Sequence, residues 1–179
     1  MDRRLGLLVF AVVLGGPVAV CAEDSPRVRG SSPETARAIA EGAEKSATFR
    51  QLVATIAATD GIVYVHHDTC GRNVRACLVL GVTYAGSHRV LHIRIDKRKK
   101  GDDLLIAIGH ELHHAAEVLA DPKVVDATSI RLFYELLAPT NRYSFETQAA
   151  IRTELKIEGE LRAWRKQQRA ALTMEPTQG

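Results

Sequence analysis

The sequence predicts an α+β domain in which helices flank a small, mainly antiparallel sheet. Three observations carry this expectation. Apolar residues fall first at helical spacing, then in three short β-prone runs, then at helical spacing again. Ala85-Gly86-Ser87 is a hairpin turn between the last two β-prone runs. The longest helical run carries His110-Glu111-Leu112-His113-His114 in its middle.

Taken in order, Arg3 and Arg4 precede an apolar run from Leu5 to Val20, and Val20-Cys21-Ala22 offers small residues for cleavage. That is the architecture of a secretory signal over residues 1–22, with lipoprotein attachment at Cys21 as the lesser alternative. Residues 23–32 are rich in Ser, Pro, Arg and Gly and read as a flexible leader. Pro33 suits the first turn of a helix through Glu34, Ala36, Ile39, Ala40 and Ala43. Ser46 or Thr48 can cap a second helix holding Phe49, Leu52, Val53 and Ile56, which Asp60-Gly61 ends. Ile62–Val65, Cys77–Tyr84 and Val90–Ile95 are the β-prone runs. The basic run Lys97–Lys100 reads as a solvated loop. Asp102 or Asp103 can cap the long helix from Leu104 to Ala120, stopped by Asp121-Pro122. Helices over Ala127–Leu137 and about Phe145–Ala170 follow, so that one domain occupies residues 33–170 and a disordered tail residues 171–179.

Composition narrows the function. With 179 residues, 46% apolar and 25% charged, the chain can bury one ordinary core. Aromatic residues make up 5% and the formal charge is +3, which gives no stacking platform and no basic surface for a nucleic acid. Beyond the N-terminus there is no apolar span long enough to cross a membrane, so the mature form is not expected to span one, and cleavage of the signal segment is expected to leave it secreted or periplasmic. In such an oxidising compartment Cys70 and Cys77, separated by turn residues, are expected to form a disulfide. Closing that short loop would stabilise the fold by about 2–3 kcal/mol.

His110, Glu111 and His114 satisfy the H-E-x-x-H pattern. Residues four apart share a helical face, so both imidazoles can reach one Zn²⁺. Glu111 stands one residue round and can take a proton from water without ligating the metal. His113 points to another side. A catalytic zinc usually has three protein ligands, and the chain contains no His after His114, so the third ligand is a carboxylate. Glu117, Glu146, Glu154, Glu158 and Glu160 are the candidates. Glu154 and Glu158, beside Arg162 and Arg165, show the pattern of a solvated face. Glu146 shares a face with Ala149, Ala150, Thr153 and Ile157, where small side chains permit close helix approach; it leads, with Glu160 and Glu117 behind.

IGHELHHAAEVLADPKV followed by FETQAA resembles a group of secreted bacterial zincin-like proteins, whose pattern pairs HELxHAxEV with a downstream FETxAA. The strand ending in HIRID also fits, so the resemblance covers about residues 26–160. It implies a minimal gluzincin core, with Glu146 on a downstream helix as the third zinc ligand and Glu117 as a supporting residue. The expected function is a secreted zinc metallopeptidase acting on a peptide or protein substrate, with Glu111 as general base. The alternative is a zinc-stabilised binding or assembly module of the same fold without turnover. Were Val90–Ile95 the sheet edge, it could hold an extended peptide. Tyr143, Arg142, His66 and His67 are candidates for stabilising the transition state.

Overall fold

The computed structural model describes residues 25–71, 74–137 and 145–174. The expected signal segment and the final residues 175–179 lie outside them. The elements run β1 (Val28–Gly30), α1 (Pro33–Lys45), α2 (Ala47–Ala57), β2 (Gly61–His67), β3 (Ala76–Leu78), β4 (Thr83–Ala85), β5 (His88–Ile95), α3 (Gly101–Ala120), α4 (Ala127–Leu137) and α5 (Gln148–Met174).

Local chemistry accounts for the helix starts. Ser32 caps α1 in a capping box with Thr35, and Pro33 occupies the first turn. Ser46, rather than Thr48, caps α2 by accepting the Phe49 N–H. Asp102 and Asp103 lie within the first turn of α3 instead of capping it, where their charge favours the helix dipole.

The sheet is mixed rather than mainly antiparallel. Its order is β1-β2-β5-β3, with β4 also paired to β5. β1, β2 and β5 are mutually parallel: α1 and α2 form the crossover between β1 and β2, and the segment holding β3 and β4 connects β2 to β5. Only the short β3 and β4 run antiparallel to β5. The expected strand Cys77–Tyr84 is thus two strands, interrupted where the Gly81 N–H turns back to Val79 O at 2.8 Å. The expected flexible leader contains β1, since Val28 enters the core and Val28–Gly30 pairs with Val63–Val65. That pairing overrides the polar composition.

Val63 and Val65 of β2 and Leu91, Ile93 and Ile95 of β5 alternate onto one face, beneath α1, α2 and α3. α5 lies against α3, and Gly109 makes the approach close: a Cβ there would stand 2.3 Å from Ile157 Cδ1. The far end of α3 is held by Arg89 of β5, whose side chain is 4% exposed. Its guanidinium donates to the Asp60 carboxylate and to the carbonyls of Leu119 (2.8 Å), Asp121 (2.8 Å) and Val124 (3.0 Å). Among the described residues no helix is long and apolar enough to cross a membrane.

Candidate metal centre

The middle of α3 presents His110, Glu111 and His114 on its buried side. Glu146 reaches the same point from outside any helix. It lies in the loop before α5, not on a downstream glutamate helix, because Thr147 is the residue that caps α5, accepting the Ala150 N–H at 3.1 Å. Donor atoms of His110, His114 and Glu146 all lie within 4.8 Å of one another. His110 Nε2 is 3.2 Å from His114 Nε2 and 3.2 Å from Glu146 Oε2.

Each histidine is turned by a carboxylate on its other nitrogen. His110 Nδ1 meets Glu154 Oε2 at 2.9 Å, and His114 Nδ1 meets Glu117 Oε2 at 2.9 Å. Glu117 is itself held by the Thr147 hydroxyl, which donates to its other oxygen at 2.8 Å. The Tyr134 hydroxyl donates to His114 O at 3.1 Å and fixes the helix backbone there. His113 is turned away from the triad, with Nδ1 3.0 Å from Thr153 Oγ1.

The donor set fits zinc. With Nδ1 engaged by a carboxylate, each imidazole aims Nε2 at the common point. Bonds of about 2.0–2.1 Å in a tetrahedron require donors about 3.3 Å apart, which matches the two 3.2 Å separations. Two imidazoles and a carboxylate are a known catalytic zinc set.

The charges around the triad are strongly coupled. Burial opposes protonation of His110, but Glu146, then Glu111 and Glu154, outweigh it, and its pKa stands at about 9. Burial pushes Glu111 up to about 7 against the pull of His114 and His110. Burial of Glu117 is overcome by its bonds to His113, His114 and Thr147, which hold it at about 2. The bond from His110 keeps Glu146 below the ordinary carboxylate range.

A cleft of about 480 Å³ opens beside the triad, walled by β3, the middle of α3, and Tyr134, Phe145 and Glu154. β3 belongs to this wall, and Cys77 on it is joined to Cys70 in the loop after β2. β5 is interior to the sheet, so the segment expected as a peptide-binding edge, Val90–Ile95, is not an edge.

The other candidates separate clearly. Glu160 accepts from Thr48 Oγ1 (2.7 Å), the Thr48 N–H (3.0 Å) and Ser46 Oγ, so it anchors the start of α2 and is not a ligand. Glu158 pairs with Arg162 at the surface. Glu154, expected on that solvated face, instead bonds His110. Ala150, Ile157 and Leu161 form the buried stripe of α5, and Glu154 falls within it at i+4 from Ala150. That spacing was the available signal, masked by the neighbouring charges. His66 pairs with His92 (2.9 Å) on the sheet face away from the helices, and His67 pairs with Glu34 (3.3 Å). Neither lines the cleft. Arg142 and Tyr143 lie outside the described residues.

No family model, curated protein or solved structure matches the chain. The reading of the centre therefore rests on its geometry: a zincin-like HExxH…E triad, His110-Glu111-x-x-His114…Glu146, set in an α+β domain.

Proposed function

We propose that the chain is a zinc-dependent peptidase, with His110, His114 and Glu146 as the metal ligands and Glu111 as general base. One observation carries this reading. Glu154 and Glu117 turn the two imidazoles toward Glu146, while Glu111, 5% exposed, stands at the cleft wall outside that triad. A purely structural site would have no use for a buried carboxylate kept out of the ligand set. Bound there, zinc supplies a Lewis acid that polarises the scissile carbonyl and acidifies water.

Glu111 takes a proton from the attacking water as its oxygen adds to the carbonyl carbon. It then returns the proton to the amine nitrogen as the C–N bond breaks. Burial raises its pKa above the ordinary carboxylate range, whereas Glu146 and Glu117 are held below it, which makes Glu111 the stronger base of the three. The substrate would lie along β3. Val79 N–H donates to His92 O and Asp96 N–H to Arg75 O, so Arg75, Cys77 and Val79 face β5. Backbone groups of Ala76 and Leu78 then face away from β5. The Leu78 backbone is turned toward the Glu111 carboxylate, whose pKa it lowers, which leaves Ala76 to pair with an extended peptide. The Cys70–Cys77 pairing supports an oxidising compartment for the protein.

Protein purified without a metal-affinity tag should carry zinc, and His110→Ala should lose it. The zinc-loaded protein should cleave members of a broad peptide library, and Glu111→Gln should keep the metal but not the cleavage. Cleavage undiminished in Glu111→Gln would refute the assignment.

A further inference from the structure

The basic run Lys97–Lys100 is not uniformly a solvated loop. Arg98 is consumed by Asp96, donating to its carboxylate at 2.6–3.2 Å. Lys100 is paired with Glu34 at 2.9 Å. Lys97 is exposed and outside the cleft. Lys99 alone of the four is half-buried and lines the cleft. Arg75, the exposed residue just before β3, lines it too. One turn links the backbones of the two residues: Arg75 O accepts the Asp96 N–H (2.9 Å), and Asp96 O accepts the Lys99 N–H (2.9 Å), and both residues line the cleft. Because Arg98 occupies the Asp96 carboxylate, the acid in this turn does not neutralise them. Among the described residues neither Arg75 nor Lys99 has a carboxylate within ion-pair distance.

The cleft is therefore divided. Its carboxylates, Glu111, Glu146 and Glu154, are gathered on the histidines. Leu80, Tyr134 and Phe145 provide an apolar flank. Arg75 and Lys99, with Ile106, provide a cationic one. Two unpaired cations beside a strand edge that can hold a peptide backbone are placed to receive a negative group from that peptide. We infer that Arg75 and Lys99 form a carboxylate-binding subsite, so that the preferred peptide carries an acidic side chain or its free C-terminus at that end of the cleft. The inference rests on the peptidase reading for the ligand being a peptide; the subsite itself rests on the two cations.

Zinc-loaded Glu111→Gln protein provides the binding test, read by fluorescence anisotropy. Labelled peptides of one apolar core would differ only in charge: neutral with an amidated C-terminus, neutral with a free C-terminus, Glu-bearing and amidated, and Lys-bearing and amidated. At least one carboxylate-bearing peptide should bind about tenfold tighter than the neutral amide, as a charge-assisted pair allows. Which of the two does so identifies the source of the carboxylate. The preference should disappear in Arg75→Ala/Lys99→Ala, reverse toward the Lys peptide in Lys99→Glu, and survive Lys97→Ala. Equal binding of all four peptides, no binding of any, or a preference that persists in the double variant overturns the inference. Cleavage of the same peptides by the protein with Glu111 intact is scored separately. A carboxylate preference without cleavage removes the peptidase reading and leaves the subsite; cleavage without preference does the reverse.

Discussion

Truncating the two carboxylates that turn the histidines should weaken zinc binding unequally, and the structure sets the order. Loss of such a partner typically costs about 10–100-fold in metal affinity. Glu154 meets His110 Nδ1 at 2.9 Å, but its side chain is 46% exposed, so water can take over as acceptor. Glu154→Ala therefore belongs near the lower bound, about tenfold. Glu117 meets His114 Nδ1 at the same distance and is only 14% exposed. It also holds the Thr147 hydroxyl next to ligand Glu146, so its loss disturbs two ligands at once. Glu117→Ala belongs near the upper bound, about 100-fold. Thr147 still caps α5 through the Ala150 N–H, which keeps that helix start intact. Glu158→Ala, which loses only a surface pair with Arg162, is the control and should bind like wild type. Competition against a chromophoric chelator measures the three affinities, with circular dichroism to verify folding. If Glu154→Ala behaves like Glu158→Ala, or Glu117→Ala loses less than Glu154→Ala, the orienting role is wrong.

Zinc must displace the proton that His110 holds with a pKa of about 9. Affinity should therefore fall by about tenfold for each pH unit below that value, and a flat profile between pH 6 and 8 would contradict it. Arg89→Met should cost about 3 kcal/mol in urea unfolding, the lower end for breaking a buried ion pair, because Asp60 is 45% exposed and can be rehydrated. Arg89 also holds Asp60 below its usual pKa, so the pair's contribution is complete above the ordinary carboxylate range and lost as pH falls through the native value. That acid slope should be shallower in Arg89→Met. Gly109→Ala should destabilise by about 1–3 kcal/mol through overpacking against Ile157, measured as a lower denaturant midpoint.

The chemistry was more legible in the sequence than the architecture. HExxH spacing binds His110 and His114 to one helical face, a local fact that survives into the fold. The helix-face argument for Glu146 does not: Glu146 reaches the histidines from the loop before α5, beside the cap Thr147. Strand direction is not local. Nothing in Ile62–Val65 or Val90–Ile95 says that they run parallel; that is set by the long connection between them, which holds β3 and β4 and returns the chain to the same end of the sheet. β1 was missed because three residues of polar context gain their strand identity only by pairing with β2. Glu154 and Glu160 were misread for a related reason. Both sit among surface-type charges, and their partners, His110 and the Ser46–Thr48 turn, are distant in sequence. Tyr134 and Thr147 carried no signal beyond their apolar or polar type.

The distribution of strand lengths has a consequence for self-association. Among the described residues β2 and β5, with seven and eight residues, are the only strands long enough to template another chain, and both are interior. Every described strand with an open side, β1, β3 and β4, has three residues. The bend at Gly81 splits what would otherwise be a continuous border beside β5. A short, broken border resists edge-to-edge stacking between copies, the usual route from exposed sheet to fibril. The protein can thus offer unpaired backbone to a short visiting segment while denying a neighbouring copy a run long enough to nucleate aggregation.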